Sequence, residues 1–242
     1  MLRLASCLAM LVVLGGVTEV SASQDILDWD TVDWPGPSSL SHAFSVASTQ
    51  IEIAFSGDTS FVSHTSTPDD TTWIHGGFDP PEENLDIDMD WTTNTQSVTT
   101  TITFTPYAKD VSFTLFDVDI LSGGAYDHVD QVTLSGTWGG ATVFPTILGS
   151  PANVVAGNEV TGIANSPNQG PGSNEGNVQV LFDEVSTITL VFGNGPGAPA
   201  NPGSQGIGLH DIQFTPTPEP STLILVVMGA LGLLAYGWRR RA

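Results

Sequence analysis

The sequence predicts an all-β fold, a jelly-roll-like β-sandwich, flanked by an N-terminal signal peptide and one C-terminal transmembrane helix. Three observations predict it. From Gln24 to Phe214 apolar and polar residues alternate with period two, and no stretch sustains a helical period. Glycine-, proline- and asparagine-rich turns separate the alternating stretches. The two ends of the 242-residue chain carry apolar runs with the flanks of targeting segments, leaving one domain's length between them.

At the N-terminus, Met1-Leu2-Arg3 precedes an apolar run from Leu4 to Val17, and Thr18-Glu19-Val20-Ser21-Ala22-Ser23 supplies the small residues a signal peptidase requires. Residues 1–22 therefore read as a signal peptide, with cleavage after Ala22 as first choice and after Ser23 as second. Leu4-Ala5-Ser6-Cys7 matches a lipobox pattern, but a true lipobox closes its apolar run, whereas this run continues past Cys7. Cys7 is the only cysteine, so the mature chain forms no internal disulfide. A domain of about 190 residues buries enough apolar area to do without one.

The domain is expected over 23–214. Ile51, Ile53 and Phe55 alternate with polar or small neighbours, and Val98, Thr100, Ile102 and Phe104 alternate with a row of threonines. The pattern returns at Val111, Phe113 and Leu115, at Val132 and Leu134, at Val178, Val180 and Phe182, and at Ile188, Leu190 and Phe192. Turns are marked by Ser122-Gly123-Gly124 and Trp138-Gly139-Gly140, and long Gly/Pro/Asn loops by Gly162 to Gly176 and Gly193 to Gly208. Many short strands with such punctuation fit a sandwich of the jelly-roll kind. A final strand is expected from Ile207 to Phe214.

Residues 215–222, containing Thr215-Pro216-Thr217-Pro218-Glu219-Pro220, read as a proline-rich spacer that continues neither sheet nor helix. A transmembrane helix is expected over 223–238, slightly short of the ~20 residues that span a bilayer comfortably. Tyr236 and Trp238 stand where interfacial aromatics belong, and the Arg-rich end, 239–242, is assigned to the cytoplasm by the positive-inside rule.

Pro218-Glu219-Pro220, one apolar segment and the cluster Arg239, Arg240 and Arg241 together resemble the PEP-CTERM sorting signal. The resemblance covers about the last 25 residues. It implies recognition at the inner membrane by an exosortase, in Gram-negative bacteria that make exopolysaccharide and biofilm. It implies processing near Pro218-Glu219-Pro220, transient residence in the inner membrane, and delivery to the cell surface or extracellular matrix. The strand before the tail is also similar to the closing strand of β-sandwich domains that commonly precede such signals.

Charge narrows the partners. The formal net charge is -21, and the basic residues are Arg3, Lys109, Arg239, Arg240 and Arg241. With both ends set aside, Lys109 alone remains on the domain. Such a surface repels a phosphate backbone, which argues against nucleic acid and favours divalent cations or neutral polymers, with exopolysaccharide first by the context of the sorting signal alone; an acidic surface that only keeps a secreted protein soluble is the alternative.

Phe116-Asp117-Val118-Asp119, then Gly123-Gly124, Asp127 and Asp130, resembles the acidic strand-turn-strand of extracellular β-sandwich modules. Asp117, Asp119, Asp127 and Asp130 are the candidate Ca²⁺ ligands, because calcium takes oxygen donors and these sit two apart or across a glycine turn; a solvated acidic turn is the alternative. In Asp86-Ile87-Asp88-Met89-Asp90 three carboxylates share one face of an expected strand, with Leu85, Ile87, Met89 and Trp91 on the other. This run fails as an EF-hand, since Trp91 and Ser97 occupy the glycine and closing-glutamate positions; its polar face is expected to be wet. His42, His64, His75, His128 and His210 show no zinc spacing and point to no metal site.

Serine-nucleophile and phosphate-loop patterns are absent, and the expected function is non-catalytic. One alternative is a glycan-active enzyme built on a carboxylate pair. Another is a permanently anchored single-pass membrane protein. Trp29, Trp34, Trp73, Trp91 and Trp138 are candidates for sugar stacking or for core packing.

Overall fold

The computed structural model describes residues 23–59, 67–123, 127–166, 170–217 and 220–240. The expected signal peptide, together with Pro218, Glu219 and Arg241 of the sorting signal, lies outside the described residues. Fifteen strands come first: β1 (Asp25–Leu27), β2 (Ser41–Val46), β3 (Thr49–Gly57), β4 (Asp69–Thr71), β5 (Asn84–Asp90), β6 (Ser97–Phe116), β7 (Ile120–Leu121), β8 (His128–Trp138), β9 (Ala141–Val143), β10 (Thr146–Leu148), β11 (Asn153–Ala156), β12 (Glu159–Gly162), β13 (Val178–Asn194), β14 (Ser204–Leu209) and β15 (Ile212–Pro216). Among the described residues one helix, α1 (Pro220–Arg239), follows. The chain is thus mostly β, built on a large antiparallel sheet.

Two long strands organise the sheet. The stretches Val98–Phe104 and Val111–Leu115, which the alternation presents separately, are one strand, β6; Val178–Phe182 and Ile188–Phe192 likewise form β13. The two pair from Val178↔Leu115 to Gly193↔Ser97. Their patterns break for a backbone reason. Asp110 adopts a positive φ of 48°, and the buried positions of β6 change from even to odd numbers across it. Separately, the register with β13 shifts between Val185↔Ala108 and Thr187↔Thr103, so 104–107 of β6 stand against Ser186 alone. A bulge of this kind bends a strand while keeping its apolar side inward.

On its other edge, the first half of β6 pairs with β3 and the second half with β15 and β14. The second half of β13 pairs with β8, and the first half with β10. Apolar residues from both halves join one buried core. Phe104 of β6 lies 5.8 Å from Phe214 of β15, and Trp91, just after β5, lies 5.2 Å from Phe192 of β13, centroid to centroid. Trp29 and Trp34 are also buried, edge-on to Phe44 and Phe55 respectively. The turn at Gly139-Gly140, between β8 and β9, has both residues at positive φ (57° and 83°), as a two-residue hairpin requires.

Three expectations change. The final strand is two: Ile207 lies in β14 and Phe214 in β15, and the chain breaks at His210-Asp211, where the His210 amide donates to Thr114 O and Asp211 Oδ1 accepts the Trp29 amide. The spacer over 215–222 begins too early, because β15 continues to Pro216, paired with Ala108, and the Thr217 hydroxyl donates to Tyr107 O. Pro216 is tolerated as the last residue of a strand, where no ladder amide is needed from it. The helix expected over 223–238 forms with wider bounds, Pro220–Arg239. Among the described residues, however, no helix is long and apolar enough to cross a membrane.

Candidate metal centre and sorting motif

Beyond β6 the chain turns sharply at Asp117, which holds a positive φ of 65°, a conformation aspartate tolerates better than most non-glycine residues. Backbone bonds then fix the segment: Val118 N donates to Gly176 O (3.1 Å), Ile120 N to Ala164 O (3.2 Å), and Asp130 N to Asp119 O (3.0 Å). Gly162, at the end of β12, lies directly behind Asp119; an added Cβ would stand 1.9 Å from the Asp119 carbonyl oxygen. This close approach seats Asp119 against β8.

From the β8 side, His128 and Asp130 are two residues apart and continue the face that carries Val132 and Leu134 into the core. At the strand's beginning that face becomes polar. Asp119, His128 and Asp130 bring one donor atom each within 4.8 Å of one another. His128 Nε2 is 3.4 Å from Asp119 Oδ1 and 3.9 Å from Asp130 Oδ2. The carboxylates are held from outside the trio as well as within it: Asp119 Oδ2 accepts the Ser166 amide, and Asp130 Oδ2 accepts the Asp119 amide at 3.2 Å.

The electrostatics follow from burial. Asp130 is fully buried, and desolvation pushes its carboxyl up to about 8; the nearby His128 opposes the rise, while the charge of Asp119 adds to it. Asp117 is held well above the ordinary carboxylate range, first by burial and then by the charges of Asp119, Asp130, Asp86 and Asp88. The two acidic runs that the sequence separates by some thirty positions are thus electrostatic neighbours. Asp86 is raised well above the usual range too, by burial and then by Asp88 and Asp69.

Of the four expected ligands, the structure brings Asp119 and Asp130 together, leaves Asp117 beside them, and does not place Asp127 in the group. Its fourth member is missing because a strand points alternate residues the same way: His128, not Asp127, shares a face with Asp130. His128, which the sequence reading assigned to no metal site, stands beside Asp119 and Asp130, and the signal for that grouping was Asp117-x-Asp119 facing His128-x-Asp130. The expectation of a wet acidic face on β5 is corrected at Asp86, which is buried (1 % exposed), while Asp88 is half-buried and Asp90 exposed. Leu85, Ile87, Met89 and Trp91 take the core side as the alternation requires. Of the tryptophans, Trp29, Trp34 and Trp91 are buried, whereas Trp73 and Trp138 are 61 % and 38 % exposed.

At the other end of the domain, Thr217 is the last of the described residues bonded to the sheet, and α1 begins shortly after it, at Pro220. Proline suits a first helical position because its missing amide would be unsatisfied there anyway. The described side chains of α1 are exposed, among them Val226, Met228, Leu233, Leu234 and Trp238. Arg239 closes the last turn, where a cation complements the helix dipole, and the Arg240 guanidinium lies 5.2 Å above the Tyr236 ring. Residues 216–241 match the family model of the PEP-CTERM protein-sorting motif. The chain carries a PEP-CTERM sorting motif. The PEP-CTERM match begins at Pro216, the last residue of β15, so strand and motif meet without a gap. The motif implies processing by an exosortase and export to the cell envelope or surface. No curated protein and no solved structure matches the chain.

Proposed function

We propose that this chain is an exported, non-catalytic β-sandwich protein of the cell surface or extracellular matrix, sorted through the inner membrane by its PEP-CTERM tail. The observation that carries this reading is the motif over 216–241, placed directly after the sheet's last strand. The sandwich reading is supported by the ring contacts between halves of the sheet, Phe104 with Phe214 and Trp91 with Phe192. In this reading residues 1–22 are removed by signal peptidase, and α1 holds the protein at the inner membrane only until an exosortase cuts. The exposed apolar side chains of α1 and the arginines at its end support membrane engagement in that orientation.

Exopolysaccharide is the proposed binding target. Trp73 stands exposed beside a hollow of about 390 Å³ lined by Thr71, Thr72, His75 and Pro81, where an aromatic face and hydroxyls suit a neutral sugar.

Intact mass of the protein recovered from cells with and without an exosortase tests the sorting reading. Loss of residues 1–22 or 1–23 and of Arg239–Arg241 is expected when the exosortase is present. Retention of Trp238 and Arg239 in those cells would replace this reading with a permanently anchored membrane protein. Hydrolysis of the host's glycan by the purified protein would replace it with a glycan-active enzyme. For the binding target, Trp73→Ala is expected to weaken retention on host exopolysaccharide, while Trp138→Ala leaves it unchanged.

A further inference from the structure

We propose that Asp119, His128 and Asp130 form a binding site for a divalent first-row transition ion, zinc in particular, rather than for calcium. Three donors come from two separate segments, the turn after β6 and the start of β8, and meet at the end of the core. A zinc ion with bonds of about 2.0–2.1 Å in a tetrahedron sets its donors roughly 3.3–3.4 Å apart. The imidazole nitrogen already lies 3.4 Å from Asp119 Oδ1 and 3.9 Å from Asp130 Oδ2, and all three donors lie within 4.8 Å of one another, so side-chain rotation has to draw the set in.

A second observation points to a ligand independently of the cluster. Asp130 is fully buried, and its Oδ1 accepts no hydrogen bond from the described residues. Leaving a carboxylate oxygen buried and unsatisfied is costly, and a cation bound to the same carboxylate offsets that cost by neutralising its charge. No lysine or arginine serves here: Lys109, the one between the two ends, pairs with Glu184 at 2.5 Å, which leaves His128 as the group facing the carboxylates.

The donor chemistry decides between ions. Calcium takes six to eight oxygens at about 2.3–2.6 Å and does not favour imidazole. One nitrogen and two carboxylates suit zinc and its first-row neighbours. The amides of Ser166 and Asp119, which bond the two carboxylates, hold the ligands in place, as outer partners of metal sites do.

The test uses the full chain purified in detergent, stripped with a chelator and dialysed at physiological salt against a little zinc in excess calcium. Metal analysis is expected to find one bound zinc per chain. His128→Gln and Asp130→Asn are each expected to lower zinc affinity at least about tenfold, with Asp127→Asn unchanged. Retention of calcium in preference to zinc would overturn the proposal in favour of the acidic turn as an oxygen-only site. No bound ion, or equal losses in His128→Gln and Asp127→Asn, would overturn it in favour of diffuse attraction to an acidic chain. Should the variants fold poorly, cobalt substitution of the unaltered protein serves instead. An intense visible spectrum of four-coordinate cobalt is expected, and the weak spectrum of a hydrated ion would overturn the site.

Discussion

Gly162 and Asp86 show how single residues carry the architecture. A Cβ at Gly162 would meet the backbone carbonyl of Asp119 at 1.9 Å, and backbone cannot swing aside as a side chain can. Gly162→Ala therefore has to shift β12 or the turn after β6, an overpacking that costs about 1–3 kcal/mol. Gly170→Ala, with nothing within 4 Å of its added carbon, is the control. Denaturant titration should lower the midpoint for the first variant and leave the second unchanged; equal midpoints would mean that Asp119 is not seated as described. Asp86 acts through charge. Burial, then Asp88 and Asp69, raises its carboxyl well above the ordinary 3.8, and Asp117 faces the same region. A carboxyl raised in the folded state binds its proton more tightly there than in the unfolded chain. Its contribution is fully present below the unfolded value and is lost as pH climbs through the folded one. The metal-free protein should therefore melt at lower temperature as pH rises from about 4 toward neutrality and beyond. Asp86→Asn should flatten that decline and raise the melting point at neutral pH. A decline of unchanged steepness in Asp86→Asn would remove this account.

At the scale of elements, the alternating stretches were legible because a strand with one buried face must alternate, and each of them lies in a strand except the expected Ile207–Phe214, which breaks at His210-Asp211. Their continuity was not legible. Nothing local in Phe104-Thr105-Pro106-Tyr107-Ala108 tells that β6 runs on, since proline argues for a break and the pairings that carry the strand past it are non-local, with β3 up to Thr105 and with β15 from Ala108. The same limit applies to the site. Asp119 and Asp130 could be picked from their spacing, but the choice between Asp127 and His128 depended on the phase of β8, which is set by burial of Val132 and Leu134. Nor could local sequence reveal that Asp86 is covered, because β4 and β14 flank it only in the folded sheet. Whether the halves of the sheet pack face to face is testable on Phe104 and Phe214, from β6 and β15. Each change to alanine should cost about 3–5 kcal/mol. In a double-mutant cycle the pair should show a coupling of about 0.5–1.5 kcal/mol, as touching aromatic rings do. Additive losses would dissolve the sandwich reading.

For the molecule as a whole, composition and processing act together. Arg3, Arg239, Arg240 and Arg241 are four of its five basic residues, and all lie in segments that sorting is proposed to remove. What is left is a sheet whose acids face one another with Lys109 as the single lysine or arginine, and that lysine is paired with Glu184. The pair is half-exposed, so water and salt screen it and it offsets little of the repulsion. Mutual repulsion among the acids opposes the compact state more than it opposes the expanded one, because folding brings the charges closer. Salt at about 0.1 M screens exposed charges beyond roughly 10 Å. The melting point of the processed protein, stripped of metal, should therefore rise steadily with sodium chloride. Lys109→Ala should leave that slope nearly unchanged, since one solvent-exposed pair is screened and contributes little. Zinc should behave differently, giving a rise that saturates at one equivalent and persists in high salt, because a bound ion stabilises by occupancy rather than by screening. A melting point indifferent to sodium chloride would show that the acids are already neutralised, by protonation or by a retained cation, and metal analysis of the same sample distinguishes the two.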